Sequence, residues 1–229
     1  MQTLTAQLID EGLSERILTD SQLSRLLKGS NQRRYNLVNR AIKSGELVRL
    51  RRGLYMLADK YRKSTIHPYV LAQKLVPGSY VSMETALSFH GWIPEAVYAT
   101  TSIVPGRKTK DFNHQSMGVF TYHPLAIQKG YFLAMVERVT VGEQAMLMAS
   151  PLRALMDLVC FKKLEWQGLG WFEQSMRIDE EHLAAVTAAQ LRTLKLVYKH
   201  KRMHRYMEEL AGALGLALSL NQGMENECD

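Results

Sequence analysis

Residues 18–57 read LTDSQLSRLLKGSNQRRYNLVNRAIKSGELVRLRRGLYML and carry the clearest local structure signals in the chain. Thr19 followed three residues later by Gln22 is the pattern of a capping box, which predicts that a helix begins there. The pair Gly29-Ser30 predicts its end, because glycine ends helices readily. The apolar positions between these signals follow the i, i+3, i+4 spacing of a buried helix face: Leu23, Leu26 and Leu27.

A second helix is predicted over residues 31–44, ending before Gly45. When its residues are placed at about 100° intervals, Tyr35, Val38 and Ile42 fall on one side, which we expect to pack against the domain. The opposite side carries only polar and basic residues: Gln32, Arg33, Asn36, Asn39, Arg40 and Lys43. One face therefore packs and the other is presented outward.

A short hairpin is predicted after the second helix. Residues 46–50 and 53–57 read as two short, largely apolar strands, and the basic turn Arg51-Arg52-Gly53 joins them. Two helices separated by a tight turn and followed by a basic hairpin are typical of a winged helix-turn-helix. The sequence thus predicts a winged helix-turn-helix domain at residues 1–63.

Charge is distributed unevenly along the chain. Residues 1–63 contain 13 Lys or Arg and 6 Asp or Glu, whereas residues 64–229 contain 16 of each. The whole formal charge of +7 is therefore carried by the first 63 residues. Such a basic segment is suited to bind a polyanion, and its junction with a neutral segment predicts a domain boundary after residue 63.

Residue types on the predicted second helix point to double-stranded DNA. Arg pairs bidentately with guanine in the major groove, and Asn and Gln pair in the same way with adenine. Residues 31–44 contain no Asp or Glu that would repel phosphate. Three alternatives remain open: a solvated polar face, an RNA-binding winged helix and a protein-binding winged helix. The predicted DNA contacts are Gln32, Arg33, Asn36, Asn39, Arg40 and Lys43 for bases, and Arg49, Arg51 and Arg52 for phosphates or the minor groove.

Residues 64–229 predict a mixed α+β domain that follows a polar linker at residues 60–65. Strands are predicted at 80–81, 97–104, 118–122 and 132–141, with the basic turn 106–110 forming a hairpin between the second and third of these. Helices are predicted at 68–75, 82–90, 151–161, 188–200 and 201–218. We expect residues 221–229 to be frayed.

Several classes of protein are disfavoured by composition. No apolar run reaches the roughly 18 residues of a membrane helix, and residues 1–7 lack the charge and apolar core of a secretory signal. Cys160 and Cys228 are too few and too far apart for a disulfide framework or a zinc site. We therefore expect a cytoplasmic protein that binds no metal, cofactor or membrane.

Candidate catalytic groups do not converge in the sequence. His200 and His204 share a predicted helix face but lack a third metal ligand, so a solvated basic helix is favoured. Ser82, Ser88 and His90 lack a nucleophile elbow, and a capping Ser82 with His90 at the end of the helix is the better explanation. We expect no enzymatic activity.

Two further motifs have ordinary structural explanations. Residues 106–109, Gly-Arg-Lys-Thr, lack the first glycine of a phosphate-binding loop at the required spacing. Arg153 and Asp157 are four residues apart on a predicted helix, which favours an exposed or half-buried ion pair worth a few tenths of a kcal/mol. No Glu-x-Lys tripeptide, which the core of one class of nucleases requires, occurs in the chain.

The order of three motifs resembles a known family. Residues 51–55 read RRGLY, residues 80–92 read YVSMETALSFHGW and residues 150–158 read SPLRALMDL. Together they resemble the AbiEi-like antitoxins of type IV toxin-antitoxin and abortive-infection systems. The resemblance covers about residues 10–160 and does not extend to the last 60 or so.

This resemblance implies a repressor that binds the operator of its own operon. It also implies that the second domain counters a toxin of nucleotidyltransferase type. Pairing of protomers on the DNA is a separate expectation. Two other functions remain open: a DNA- or RNA-modifying enzyme delivered by a winged helix, and a ligand-sensing transcription factor with no toxin partner. A neighbouring nucleotidyltransferase gene would favour the antitoxin.

Overall fold

A computed structural model describes residues 3–114 and 117–218, and the chain is of the α+β class, as predicted. It divides into two compact units, Met1–Pro77 and Gly78–Asp229, called the first and second unit below. The predicted fraying of residues 221–229 and the position of Cys228 lie outside the described residues.

The first unit combines four helices with a three-stranded antiparallel sheet among its described residues. The sheet order is β1-β3-β2, and both predicted helices and the hairpin form. α1 and β1 were not predicted from sequence. The elements are α1 Leu4–Asp10, β1 Leu18–Thr19, α2 Asp20–Leu26, α3 Asn31–Lys43, β2 Leu47–Arg51, β3 Leu54–Leu57 and α4 Pro68–Leu75.

The capping box predicted at the start of α2 is confirmed. The Gln22 backbone N–H donates to Thr19 Oγ1 at 3.3 Å, and the Thr19 N–H donates to Gln22 Oε1 at 2.8 Å. Ser30 caps α3 by accepting a hydrogen bond from the Arg33 backbone N–H at 3.3 Å. α1, α2, α3 and the three-stranded sheet pack around one apolar core, which includes Leu23.

Tyr35 does not lie on the packed face of α3, where the sequence placed it. Its side chain is 65% exposed, whereas Leu37, Val38 and Ile42 pack against the core and Ala41 is buried. The buried stripe is centred between Leu37 and Ile42, so Tyr35 lies about 90° around the helix from its centre. The prediction for Tyr35 was wrong because Leu37 and Ala41 extend the stripe away from it.

The boundary between the units lies after residue 77, 14 residues beyond the predicted position. The segment at residues 60–65 is not a free linker, because the Glu15 carboxylate accepts hydrogen bonds from the Lys63 N–H at 2.7 Å and the Ser64 hydroxyl at 2.9 Å. These contacts hold the segment and α4 within the first unit. The charge difference persists with this boundary: the first unit has 14 Lys or Arg and 6 Asp or Glu, and the second has 15 and 16.

The second unit is built on a six-stranded mixed sheet in the order β6-β7-β5-β4-β9-β8. Two pairs, β5 with β7 and β4 with β9, are parallel, and the others are antiparallel. Its elements are β4 Tyr80–Val81, α5 Met83–Phe89, β5 Ala99–Val104, β6 Lys110–His114, β7 Gly118–Pro124, β8 Val136–Val141, β9 Gln144–Ala149, α6 Pro151–Lys162, α7 Gly170–Met176, α8 Glu180–Ala184, α9 Ala188–Val197 and α10 Lys201–Ala213.

The sheet differs from the prediction in its connections. The basic turn at 106–110 does not join a hairpin, because β5 pairs in parallel with β7 and not with the strand that follows the turn. That strand, β6, was missed because its sequence KDFNH has no apolar run. β9 was missed because Gln, Ala, Met and Leu favour helix, and the strand predicted over 132–141 begins only at Val136.

The helices α5, α6, α9 and α10 begin where they were predicted, but α9 ends at Val197 and α10 at Ala213, before the predicted ends at 200 and 218. The helices α7 and α8 were missed. The two missed helices are only 7 and 5 residues long, too short for a clear apolar period. None of the helices in the described parts of the chain is long and apolar enough to cross a membrane.

Candidate nucleic-acid interface

The polar residues predicted on α3 do share one outward surface, which we call the α3 outer face. Five of the six are exposed and Asn39 is half-buried. The Gln32 side-chain amide donates to Asn36 Oδ1 at 3.1 Å, so two of these amides are already aligned along the helix. The outer face comprises Gln32, Arg33, Asn36, Asn39, Arg40 and Lys43.

A cleft of about 400 Å³ separates α3 from α2 and the hairpin. Asn39 and Tyr35 line it from α3, Asp20 lines it from α2, and Arg49 lines it from β2. The fold therefore brings one predicted hairpin arginine, Arg49, next to the outer face. It also adds Tyr35, whose exposed ring the sequence had assigned to the core.

The acidic residue in this cleft is engaged by its neighbours. The Tyr55 hydroxyl donates to the Asp20 carboxylate, and burial followed by the Asp20 charge raises the pKa of Tyr55. Gly53 has a φ of +77°, which favours glycine, and a Cβ there would also lie 2.9 Å from Asp20 Oδ2. The Asp20 charge is thus held against the hairpin turn.

On the opposite flank of α3, Arg40 borders a smaller cleft of about 170 Å³ with Glu46. The Glu46 carboxylate accepts a hydrogen bond from the Thr5 hydroxyl at 2.5 Å. Arg40 and Arg49 therefore border two different clefts on either side of α3.

The two arginines of the hairpin turn have different surroundings. Arg51 is half-buried, and its Nε donates to the Leu75 carbonyl of α4 at 3.0 Å while Nη1 donates to the Arg52 carbonyl at 3.3 Å. Arg52 is exposed, and within the described ranges its guanidinium has no hydrogen-bond partner. The sequence treated the two as equivalent phosphate contacts, but the structure uses Arg51 to hold the hairpin to α4.

The second unit contains a buried polar cluster, the Asp157 network. Arg153 Nε donates to Asp157 Oδ1 at 2.9 Å, and both side chains are fully buried. Three hydroxyls also donate to the carboxylate: Tyr80 at 2.9 Å, Ser82 at 2.8 Å and Tyr198 at 2.7 Å. The predicted exposed or half-buried ion pair is therefore wrong, because β4, the start of α5 and the chain after α9 enclose these two residues of α6. Ser82 is the N-cap residue of α5, as predicted, but its hydroxyl donates to Asp157 and forms no capping hydrogen bond.

Each of the three guanidinium nitrogens of Arg153 donates a hydrogen bond. Its Nη1 donates to the Ala134 carbonyl at 2.8 Å and its Nη2 to the Tyr80 hydroxyl at 2.6 Å. The rings of Tyr80 and Tyr198 both lie 5.4 Å from the guanidinium carbon. Burial, and then the Asp157 charge, raise the pKa of both tyrosines well above 10. A fully buried ion pair whose charged atoms all take part in hydrogen bonds has a structural role.

The candidate catalytic groups are engaged separately. His90 Nε2 lies 3.0 Å from the Ala149 carbonyl, and the Ser88 hydroxyl donates to the Glu95 carbonyl at 2.9 Å. His204 Nε2 lies 2.7 Å from a backbone carbonyl. Within residues 3–114 and 117–218, no group of three His, Cys, Asp or Glu is placed to hold a metal ion.

Comparison of the chain with protein-family models and with curated proteins finds no match.

Proposed function

We propose that the first unit is a winged helix-turn-helix domain that binds specific sequences of double-stranded DNA, and that the protein is a transcriptional repressor. The α3 outer face carries this proposal, because it exposes Arg, Asn and Gln side chains on a helix without acidic residues. The order of α2, α3 and the β2–β3 hairpin supports it.

In this proposal α3 enters the major groove and the hairpin lies on the flanking backbone. Arg33 and Arg40 pair with guanine, and Asn36 and Asn39 pair with adenine. Arg52 contacts phosphate or the minor groove, where it positions the protein more than it reads sequence.

We extend the proposal to the antitoxin role. The protein would repress its own operon, with protomers paired on the operator, and its second unit would counter a nucleotidyltransferase-type toxin. This part depends on the resemblance at residues 51–55, 80–92 and 150–158. The Asp157 network joins the last two of these stretches in one core.

Sequence-specific DNA binding by α3 is tested by titrating variants on operator DNA and on a duplex of random sequence. The operator is the DNA upstream of the gene. We expect Arg33→Ala and Arg40→Ala each to weaken operator binding by about 1–3 kcal/mol and random binding by less. Arg205→Ala is the matched control, because that arginine lies in the second unit and pairs with Glu165 at 3.2 Å. Parent-like operator binding by both α3 variants would contradict the placement of the recognition helix.

The hairpin offers a second, internally controlled test. Loss of one phosphate contact lowers the slope of log K against log salt by about 0.9. We expect this reduction for Arg52→Ala and no such reduction for Arg51→Ala, since the Arg51 side chain is bonded to the Leu75 carbonyl. If Arg51→Ala and Arg52→Ala give the same slope of log K against log salt, the proposed difference between the two arginines is wrong.

The antitoxin role is tested in cells. The full chain is co-expressed with the nucleotidyltransferase encoded beside its gene, and growth is followed. We expect the Arg33→Ala/Arg40→Ala double variant to lose repression and still protect against the toxin. If no nucleotidyltransferase gene lies beside the gene for this protein, the antitoxin proposal is wrong, and the proposal of a DNA-binding repressor still stands.

A further inference from the structure

A cleft of about 550 Å³ lies at one edge of the six-stranded sheet in the second unit. It forms where the parallel strands β5 and β7 end together, at the paired residues Val104 and Pro124. The loops after both strands, 105–107 and 125–130, supply its walls. The carboxyl ends of neighbouring parallel strands are the usual position of ligand sites in open sheets.

The chain between α9 and α10 forms a third wall of the cleft, and backbone hydrogen bonds attach it to the loop after β7. The Gln128 N–H donates to the Val197 carbonyl at 2.7 Å, and the Lys199 N–H donates to the Ala126 carbonyl at 3.0 Å. These bonds join the loop after β7 to the chain between α9 and α10. Lys129 and Lys199 are therefore held on adjoining walls by the fold.

The charged residues that line the cleft are all cationic. Arg107, Lys129 and Lys199 come from its three walls, and none of its lining residues is Asp or Glu. Among the described residues, no carboxylate forms an ion pair with any of the three. The second unit as a whole has one more acidic than basic residue, so this concentration of positive charge does not simply follow from composition.

The rest of the lining is mainly apolar. Val104, Leu125, Ile127 and Phe132 contribute carbon surface, and the Phe132 ring packs against the Tyr80 ring at 5.1 Å. The cleft therefore combines an apolar surface with three cations. An organic anion that has both a ring and strongly charged oxygens matches this pattern, and the volume lies in the range of small-molecule sites.

We propose that this cleft binds a small organic phosphate of about mononucleotide size. Arg107, Lys129 and Lys199 hold the phosphate groups, and the ring lies on the apolar surface near Phe132. Arg107 can take two phosphate oxygens at once, whereas each lysine supplies a point charge. The site is separate from the α3 outer face and does not depend on the proposed DNA binding.

The test uses the purified full chain and calorimetric titration with ATP, GTP, pyrophosphate and adenosine. We expect saturable binding of a nucleotide, weaker binding of pyrophosphate and none of uncharged adenosine. The Lys129→Gln/Lys199→Gln double variant and the Arg107→Gln variant should each weaken nucleotide binding by about tenfold or more. All three residues are exposed, so the variants should keep the parent's unfolding temperature.

Arg205→Gln is the control, because it removes one positive charge from the same unit outside the cleft. Its nucleotide affinity should match the parent's. The proposal is overturned if neither nucleotide nor pyrophosphate binds saturably, or if the cleft variants bind nucleotide like the parent. It is also overturned if the cleft variants lose duplex DNA binding while the parent binds no nucleotide, since the cleft would then belong to a nucleic-acid surface.

Discussion

Replacing Asp157 by Ala should destabilise the second unit more than any surface change. The carboxylate accepts hydrogen bonds from Arg153, Tyr80, Ser82 and Tyr198 and is fully buried. Its removal leaves a guanidinium charge in the core without its counter-ion. Breaking a buried pair in this way costs about 3–5 kcal/mol, a large part of the roughly 5–15 kcal/mol that stabilises a typical domain.

Urea unfolding followed by tryptophan fluorescence measures this loss in the second unit specifically. The three tryptophans of the chain are Trp92, Trp166 and Trp171, and all lie beyond residue 77. With a slope of roughly 2 kcal/mol per molar urea, the midpoint should fall by about 1.5–2.5 M. Asp157→Asn keeps the shape of the side chain and should give a smaller loss, so it supplies a measurable variant if Asp157→Ala does not fold.

Glu208→Ala is the control for Asp157→Ala. Its carboxylate pairs with Lys195 at 2.6 Å but is more than half exposed, and such pairs contribute about 1 kcal/mol or less. A midpoint for Asp157→Asn and Asp157→Ala that stays within the range of Glu208→Ala would refute the inference that the network stabilises the core.

Two further predictions concern helix capping and alkaline pH. Thr19→Ala removes the capping box of α2 and should lower the free energy of unfolding of the first unit by about 1 kcal/mol, measured by circular dichroism. The control is Thr193→Ala, because the Thr193 hydroxyl bonds within its own helix. A loss for Thr19→Ala no larger than that for Thr193→Ala would contradict the capping prediction. Burial and Asp157 raise the pKa of Tyr80 and Tyr198 above 10, so the stability they contribute is complete below about pH 10 and is lost as pH rises further. Tyr198→Phe should flatten this alkaline loss in urea unfolding, and an unchanged pH profile would count against the assignment.

Much of the first unit could be predicted because its signals are local. A capping residue, a following Gln and a glycine act within a few positions, so α2, α3 and the hairpin were located from sequence. Tyr35 was misplaced because the helical period alone does not specify where the buried stripe is centred. Arg51 and Arg52 looked alike because only the packing of α4 against the hairpin distinguishes them.

Of the two candidate sites, one could be predicted from local sequence and the other could not. The α3 outer face was predicted residue by residue, since membership of a helix face depends only on spacing. The cationic cleft could not be predicted from the sequence, because Arg107, Lys129 and Lys199 are distant in sequence. They line one cleft only after β5 pairs with β7.

The sequence by itself determined the charge division, the acid-free helix over 31–43 and the α+β class. The tertiary structure decided which strands pair, where the unit boundary lies and what surrounds each charge. Ser82 and Asp157 are 75 positions apart, and no local pattern reports that the hydroxyl of one satisfies the carboxylate of the other. Arg153 and Asp157 have the spacing of an ordinary surface pair. Only the packing of β4, the start of α5 and the chain after α9 around them removes them from water, because burial is a property of the whole fold.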